Sequence, residues 1–161
     1  MCWMCDNPRA TRQEYVRHLQ AIITDHGWAV QFVDGDERRP PYAYTVGLTP
    51  LGKPELVVTG IAASRAARLL NDVATHVLHA SVPAPGEQVP LIGGPLIEFV
   101  AVSQPTVHLV MACELYGAGI SALQVVHADE RGHWPWEAEY RGRSRGGQPV
   151  LGVRGEMPKA S

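Results

Sequence analysis

The chain has 161 residues, 45% of them hydrophobic and 19% charged, and its 14 basic and 16 acidic side chains leave a formal net charge of −2. That length suits one domain able to bury roughly two-thirds of its unfolded surface, and the balanced charge lacks the basic surplus of a nucleic-acid binder. No apolar run reaches the roughly 18 residues of a membrane span, and the start carries neither a basic nor an apolar leader region, so a cytoplasmic protein is expected.

The chain opens as Met1-Cys2-Trp3-Met4-Cys5-Asp6, a C-x-x-C pair. Two thiolates at this spacing can ligate one metal ion or close a small redox disulfide. A first helix is announced by Thr11 and Glu14 at capping-box spacing, continued by Tyr15, Leu19, Ile22, Ile23 and His26, and stopped by Gly27. Residues 28–33 alternate as a strand, 34–41 form a charged loop closed by two prolines, and 42–48 form a second strand. The link 49–54 has turn chemistry and leads to a third strand at 55–59, an antiparallel neighbour of the second.

A second helix over 61–80 carries an apolar stripe of Ala63, Ala67, Leu70, Ala74, Val77 and Leu78, with Arg65, Arg68 and Asp72 off it. The Pro- and Gly-rich stretch 81–95 reads as a long loop with a short strand at Gln88-Val89, and 96–102 as a strong strand. Pro105 then opens a third helix, apolar around its circumference and hence buried, which Gly117 and Gly119 end. A last strand covers 123–127. Strands adjacent in sequence without helices between them exclude a pure βαβ repeat. The expected fold is α+β, one mostly antiparallel sheet packed with about three α-helices in a single domain over 1–140, followed by a tail at 141–161 with little order.

A structural zinc site takes four ligands, so Cys2 and Cys5 need partners. His18 and His26 lie eight residues apart on the first helix, and Asp6 adds an oxygen. The resulting expectation is zinc or another transition metal held by Cys2, Cys5, His26, His18 and Asp6, or a shell completed across a homodimer axis. Against this stands an N-terminal arm whose Trp3 and Met4 merely pack on the sheet. Two enzymatic readings remain beside it: Cys2 as a nucleophile once Met1 is removed, and Cys2 with Cys5 as a redox couple. Glu55, at the start of a strand after a turn, is a weak candidate for a catalytic acid, and Cys113 is read as a buried small hydrophobe. His76 and His79 lie three residues apart on the second helix, a ligand-compatible spacing that the helix macrodipole explains as well. The 42–55 region and the pair Trp134 and Trp136 could anchor a protein partner; buried, the tryptophans would instead clamp the C-terminal segment onto the core. No phosphate-binding loop, dinucleotide fingerprint, nucleophile elbow or zincin motif occurs.

Several blocks in fixed order resemble a bacterial family known only as a domain of unknown function, number 4262 of that series. They are Cys2-Trp3-Met4-Cys5-Asp6, His26-Gly27-Trp28-Ala29-Val30, Tyr44-Thr45-Val46-Gly47-Leu48-Thr49, Gly52-Lys53-Pro54-Glu55-Leu56, Leu115-Tyr116-Gly117, Leu123-Gln124-Val125-Val126 and Gly132-His133-Trp134-Pro135-Trp136-Glu137. The resemblance implies a stand-alone bacterial cytoplasmic domain and carries no activity with it. The Tyr44–Leu48 and Pro54–Leu56 stretches are also loosely similar to suppressor-of-fused-like modules, which include immunity and interaction proteins. The functional expectation is thus a binding or regulatory module, with a protein or small molecule as partner.

Overall fold

The computed structural model describes residues 6–141 and 147–155. Its first helix, α1 (Arg12–His26), is capped as its sequence demands. The Thr11 hydroxyl accepts the Glu14 N–H at 3.2 Å, and the Glu14 carboxylate accepts the Thr11 N–H at 3.0 Å. At the other end Gly27, at φ 94°, donates its N–H to the Ile23 carbonyl. The chain then turns into β1 (Ala29–Val33), which pairs antiparallel with β2 (Tyr42–Val46).

Strand β3 (Glu55–Thr59) follows a 3-10 turn at Thr49–Leu51 and pairs antiparallel with β2. Helix α2 (Ala63–His79) crosses one face of the sheet, and β4 (Gln88–Pro90) and β5 (Leu96–Ala101) form a hairpin at the far edge. After α3 (Pro105–His108) and α4 (Val110–Tyr116), the last strand β6 (Ala122–His127) inserts between β3 and β5. The sheet order is β1-β2-β3-β6-β5-β4, antiparallel throughout except for the pair β3 and β6, which run parallel. This is the expected α+β fold with a mostly antiparallel sheet.

Side chains alternate across the sheet, so both faces need cover. Leu56, Val58, Phe99, Leu123 and Val125 pack under α2, while Tyr44, Val46, Val57 and Ala122 pack under α1 and α4. Helices therefore lie on both faces. Each fully buried aliphatic side chain contributes about 1.5–3 kcal/mol relative to exposure. The face of α2 turned to the sheet is Ala66, Leu69, Leu70, Val73, Ala74 and Val77. It is rotated from the expected stripe, leaving Ala63, Ala67 and Leu78 partly exposed, because the bulkier Leu69–Val73 row fills the space over the sheet.

The third expected helix is two helices. At Leu109, with φ −97° and ψ 62°, the backbone leaves the helix and drives this side chain fully into the core. Two tyrosines of β2 take up the groups freed by the break. The Tyr42 hydroxyl donates to the His108 carbonyl at 2.8 Å, and the Tyr44 hydroxyl accepts the Met111 N–H at 3.0 Å. Val107 and Val110 flank the break and are 59% and 47% exposed, so the segment is not buried around its circumference.

The composition beyond residue 141 suggests little order, yet residues 147–155 lie bonded across the second face over β3, β6 and β5. The buried Gln124 donates to the Pro149 carbonyl and accepts the Leu151 N–H, each at 2.7 Å. The Thr59 hydroxyl also donates to Pro149, and the Ser103 N–H to Leu151. The close fit needs a glycine, since a Cβ on Gly152 would lie 1.8 Å from the Ala101 carbonyl oxygen. Trp134 is buried and Trp136 half-buried; stacked with centroids 5.4 Å apart, they close over this strap.

Candidate functional site

In sheets with parallel neighbours, ligands tend to seat where the connections leaving the strands' carboxyl ends diverge. Here β3 ends at Thr59 and runs through Gly60 into α2, while β6 ends at His127 and runs into a turn at 128–132. The chain separates at that point and leaves a cleft. Its inner compartment, about 200 Å³, has Ile61, Leu69, Leu91 and Ala128 in its wall, with Arg65, Arg68, Asp72 and His127. An outer compartment of about 1000 Å³ continues from it past Arg131, Tyr140 and Arg141, and both include Arg65 and His127. The turn 91–95 between β4 and β5 overhangs both compartments.

His127 is held rigidly by its own backbone. Its N–H donates to the Gln148 side-chain carbonyl and its C=O accepts from the Gln148 amide, both at 2.9 Å, and the same amide reaches the Tyr140 hydroxyl at 3.0 Å. The ring Nε2 is buried and has no hydrogen-bond partner among the described residues. Burial pushes the imidazole pKa below its ordinary value, and Arg65 adds to this; the nearby backbone of Thr59 and Ala128 only partly opposes it. His127 is therefore a neutral imidazole at pH 7 beside a guanidinium.

Arg65, Arg68, Arg131 and Arg141 form no ion pair with a described residue. The acids around the cleft are Asp72, Asp129 and Glu130. Asp129 is committed to shaping the turn, because it accepts the N–H groups of Arg131 and His133 at 2.9 Å and of Arg141 at 3.0 Å. Burial would raise its pKa, but those three donors, with His133, hold the carboxyl below the usual range. His133 Nδ1 lies 3.7 Å from it, too far for a hydrogen bond and therefore an electrostatic contact only. The N-cap of α2 is Ala62, which offers no side-chain acceptor to the first N–H groups of the helix.

The residues singled out from sequence lie elsewhere. Cys2 and Cys5 fall outside the described residues. Asp6 is exposed near Glu14 before and within the first turn of α1, and His26 is exposed at the opposite end beside Trp28 and Asn71. His18 and His26, eight residues apart at about 1.5 Å each, are separated by roughly 12 Å along the axis, whereas nitrogens on one zinc lie within about 4 Å. The structure thus does not bring Asp6, His18 and His26 together. No group of three or more His, Cys, Asp or Glu suited to a metal ion occurs among the described residues. His76 and His79 are exposed at the end of α2. Cys113 is a free thiol at intermediate exposure, packed beside the second core cluster.

Glu55 is fully enclosed. Its carboxylate accepts the Thr45 hydroxyl at 2.9 Å and the N–H groups of Leu48 at 3.1 Å and Thr49 at 2.8 Å, with the Thr49 hydroxyl and a longer 3.4 Å contact from Gly47. It organises the β2–β3 link and has no face turned to solvent. Gly47, at φ 130°, passes so close to β1 that a Cβ would lie 2.9 Å from Trp28 Cα. The Tyr44–Leu48 and Pro54–Leu56 blocks thereby acquire a common explanation: they build one buried corner.

Residues 22–141 match the family described as Domain of unknown function (DUF4262). The chain belongs to that family. No curated protein and no solved structure matches it. The DUF4262 match runs from the end of α1 through Arg141, so Arg65, His127, Arg131 and Arg141 lie inside it. Cys2, Cys5, Asp6, His18 and the strap lie outside. Among the described residues no helix is long and apolar enough to cross a membrane. Sequence reading missed Arg65 and His127 as a pair, since only the parallel pairing of β3 with β6 makes them neighbours.

Proposed function

We propose that this DUF4262 chain is a binding module for a small molecule bearing an oxyanion, phosphate or carboxylate, seated in the cleft at the carboxyl ends of β3 and β6. One observation carries the reading: Arg65, exposed at the cleft and without an ionic partner among the described residues, stands beside the half-buried His127, whose enclosed Nε2 lacks a hydrogen-bond partner there. The enclosed ring nitrogen is costly while nothing engages it, and the exposed guanidinium is free to pair with an incoming anion. An oxyanion pairs with the guanidinium, and accepts a hydrogen bond from the imidazole once the ring turns its enclosed nitrogen to the cleft. Arg131 and Arg141 across the outer compartment extend the favourable field, and the uncapped start of α2 adds to it.

Calorimetric titration of the full chain with inorganic phosphate and with acetate tests this. The reading expects saturable binding of at least one, weakened about tenfold or more by Arg65→Ala and at higher salt. Absence of binding by both, or binding indifferent to Arg65→Ala, overturns it.

A further inference from the structure

The inner compartment is not needed to hold an oxyanion, and its chemistry differs from that of the outer one. Ile61 and Leu69 bring apolar surface from α2 and the residues before it, Leu91 brings more from the β4–β5 turn, and Ala128 adds its methyl group. Arg68 and Asp72 are exposed and one turn apart on α2, where they form a charged rim rather than a floor. The volume is about 200 Å³, room for a ring-sized group in a recess open to solvent on one side. Beside this surface Ile92 is fully exposed at the tip of the turn, next to Gly93 at φ 71°.

We infer that the ligand is amphipathic, with its oxyanion at Arg65 and His127 and a ring-sized apolar body in the compartment between Leu69 and Leu91. This rests on the oxyanion reading above and adds the ligand's second half. Arg65 and His127 sit where the two compartments meet, so one molecule can satisfy both. Arg65 and His127 take the oxyanion, and the surface left between Leu69 and Leu91 is apolar, which favours an aryl or compact aliphatic body over a second charged group.

Four probes separate the parts: inorganic phosphate, phenyl phosphate, acetate and benzoate, each titrated into the full chain, with phenol as control. The expected result is that the aryl member of at least one pair binds about tenfold or more tightly than its small counterpart, as burial of a ring predicts. Leu91→Asn removes that gain while leaving the small anion's affinity unchanged, which also reports that the variant is folded. Equal affinity within both pairs overturns this inference and leaves the oxyanion reading standing. Binding of neither phosphate nor acetate overturns both. Phenol binding as tightly as phenyl phosphate and benzoate would show a purely apolar site, overturning the oxyanion reading and this inference with it.

Discussion

The guanidinium of Arg154 grips the buried carboxylate of Glu98 through two hydrogen bonds, Nε to Oε2 at 2.8 Å and a terminal nitrogen to Oε1 at 2.9 Å, and lies 3.8 Å over the Trp136 ring. Glu98 is 1% exposed on β5, while Arg154 is 48% exposed at the end of the strap. Arg154→Ala leaves Glu98 with the Gln88 amide alone among the described donors. Half-exposure of Arg154 reduces the cost from that of a fully buried pair to about 1–3 kcal/mol. Urea unfolding should show this loss, and adding Glu98→Gln to Arg154→Ala should recover part of it.

The same pair sets an acid limb of stability. Burial would raise the Glu98 pKa, but hydrogen bonds from Arg154 and Gln88 hold it below the ordinary value. Its contribution is complete above the unfolded value of about 4.5 and is lost as pH falls through the lower folded value. Arg154→Ala should flatten this limb in unfolding measured across that range.

His127 acts in a different window. Its folded pKa lies below the ordinary 6.5, so between the two values the unfolded chain binds the proton and the folded chain does not. Stability is full above about 6.5 and declines as pH drops towards the folded value. His127→Gln should remove this decline while leaving the Glu98 limb intact. A bound oxyanion should reverse the trend, because it favours the imidazolium, and its affinity should rise as pH falls.

Glu55 serves as a buried acceptor for the corner it closes. Glu55→Ala strands the Leu48 and Thr49 N–H groups and should cost about 2–4 kcal/mol, read by thermal or urea unfolding. An unchanged midpoint would contradict this structural role.

The Tyr44 hydroxyl bonds the N–H that the break at Leu109 leaves open. Tyr44→Phe should cost about 1–2 kcal/mol without altering helix content, which circular dichroism with urea unfolding would check.

The elements whose signals are local were legible in the sequence. Thr11, Glu14 and Gly27 bracket α1, and the Glu55–Thr59 strand was delimited by its turn and its apolar run. What escaped depended on distant partners. The apolar run from Pro105 to Tyr116 contains no residue that must break a helix. The break follows from Leu109 reaching the core and from two hydroxyls on β2, more than sixty residues away. The cleft was hidden for the same reason, because neither Arg65 nor His127 sits in a motif and their meeting depends on β6 inserting beside β3. The conspicuous Cys2 and Cys5 drew attention to the other end of the molecule.

The strap has a practical consequence for anyone trimming this protein. The family match stops at Arg141, yet Gln124, Thr59 and Glu98 find their acceptors and donors in residues 147–155. A fragment cut at the family limit would uncover Val100 and Val126 and strand polar groups in the sheet interior. Such a fragment would tend to aggregate, and ligand screens run on it would report on a damaged molecule.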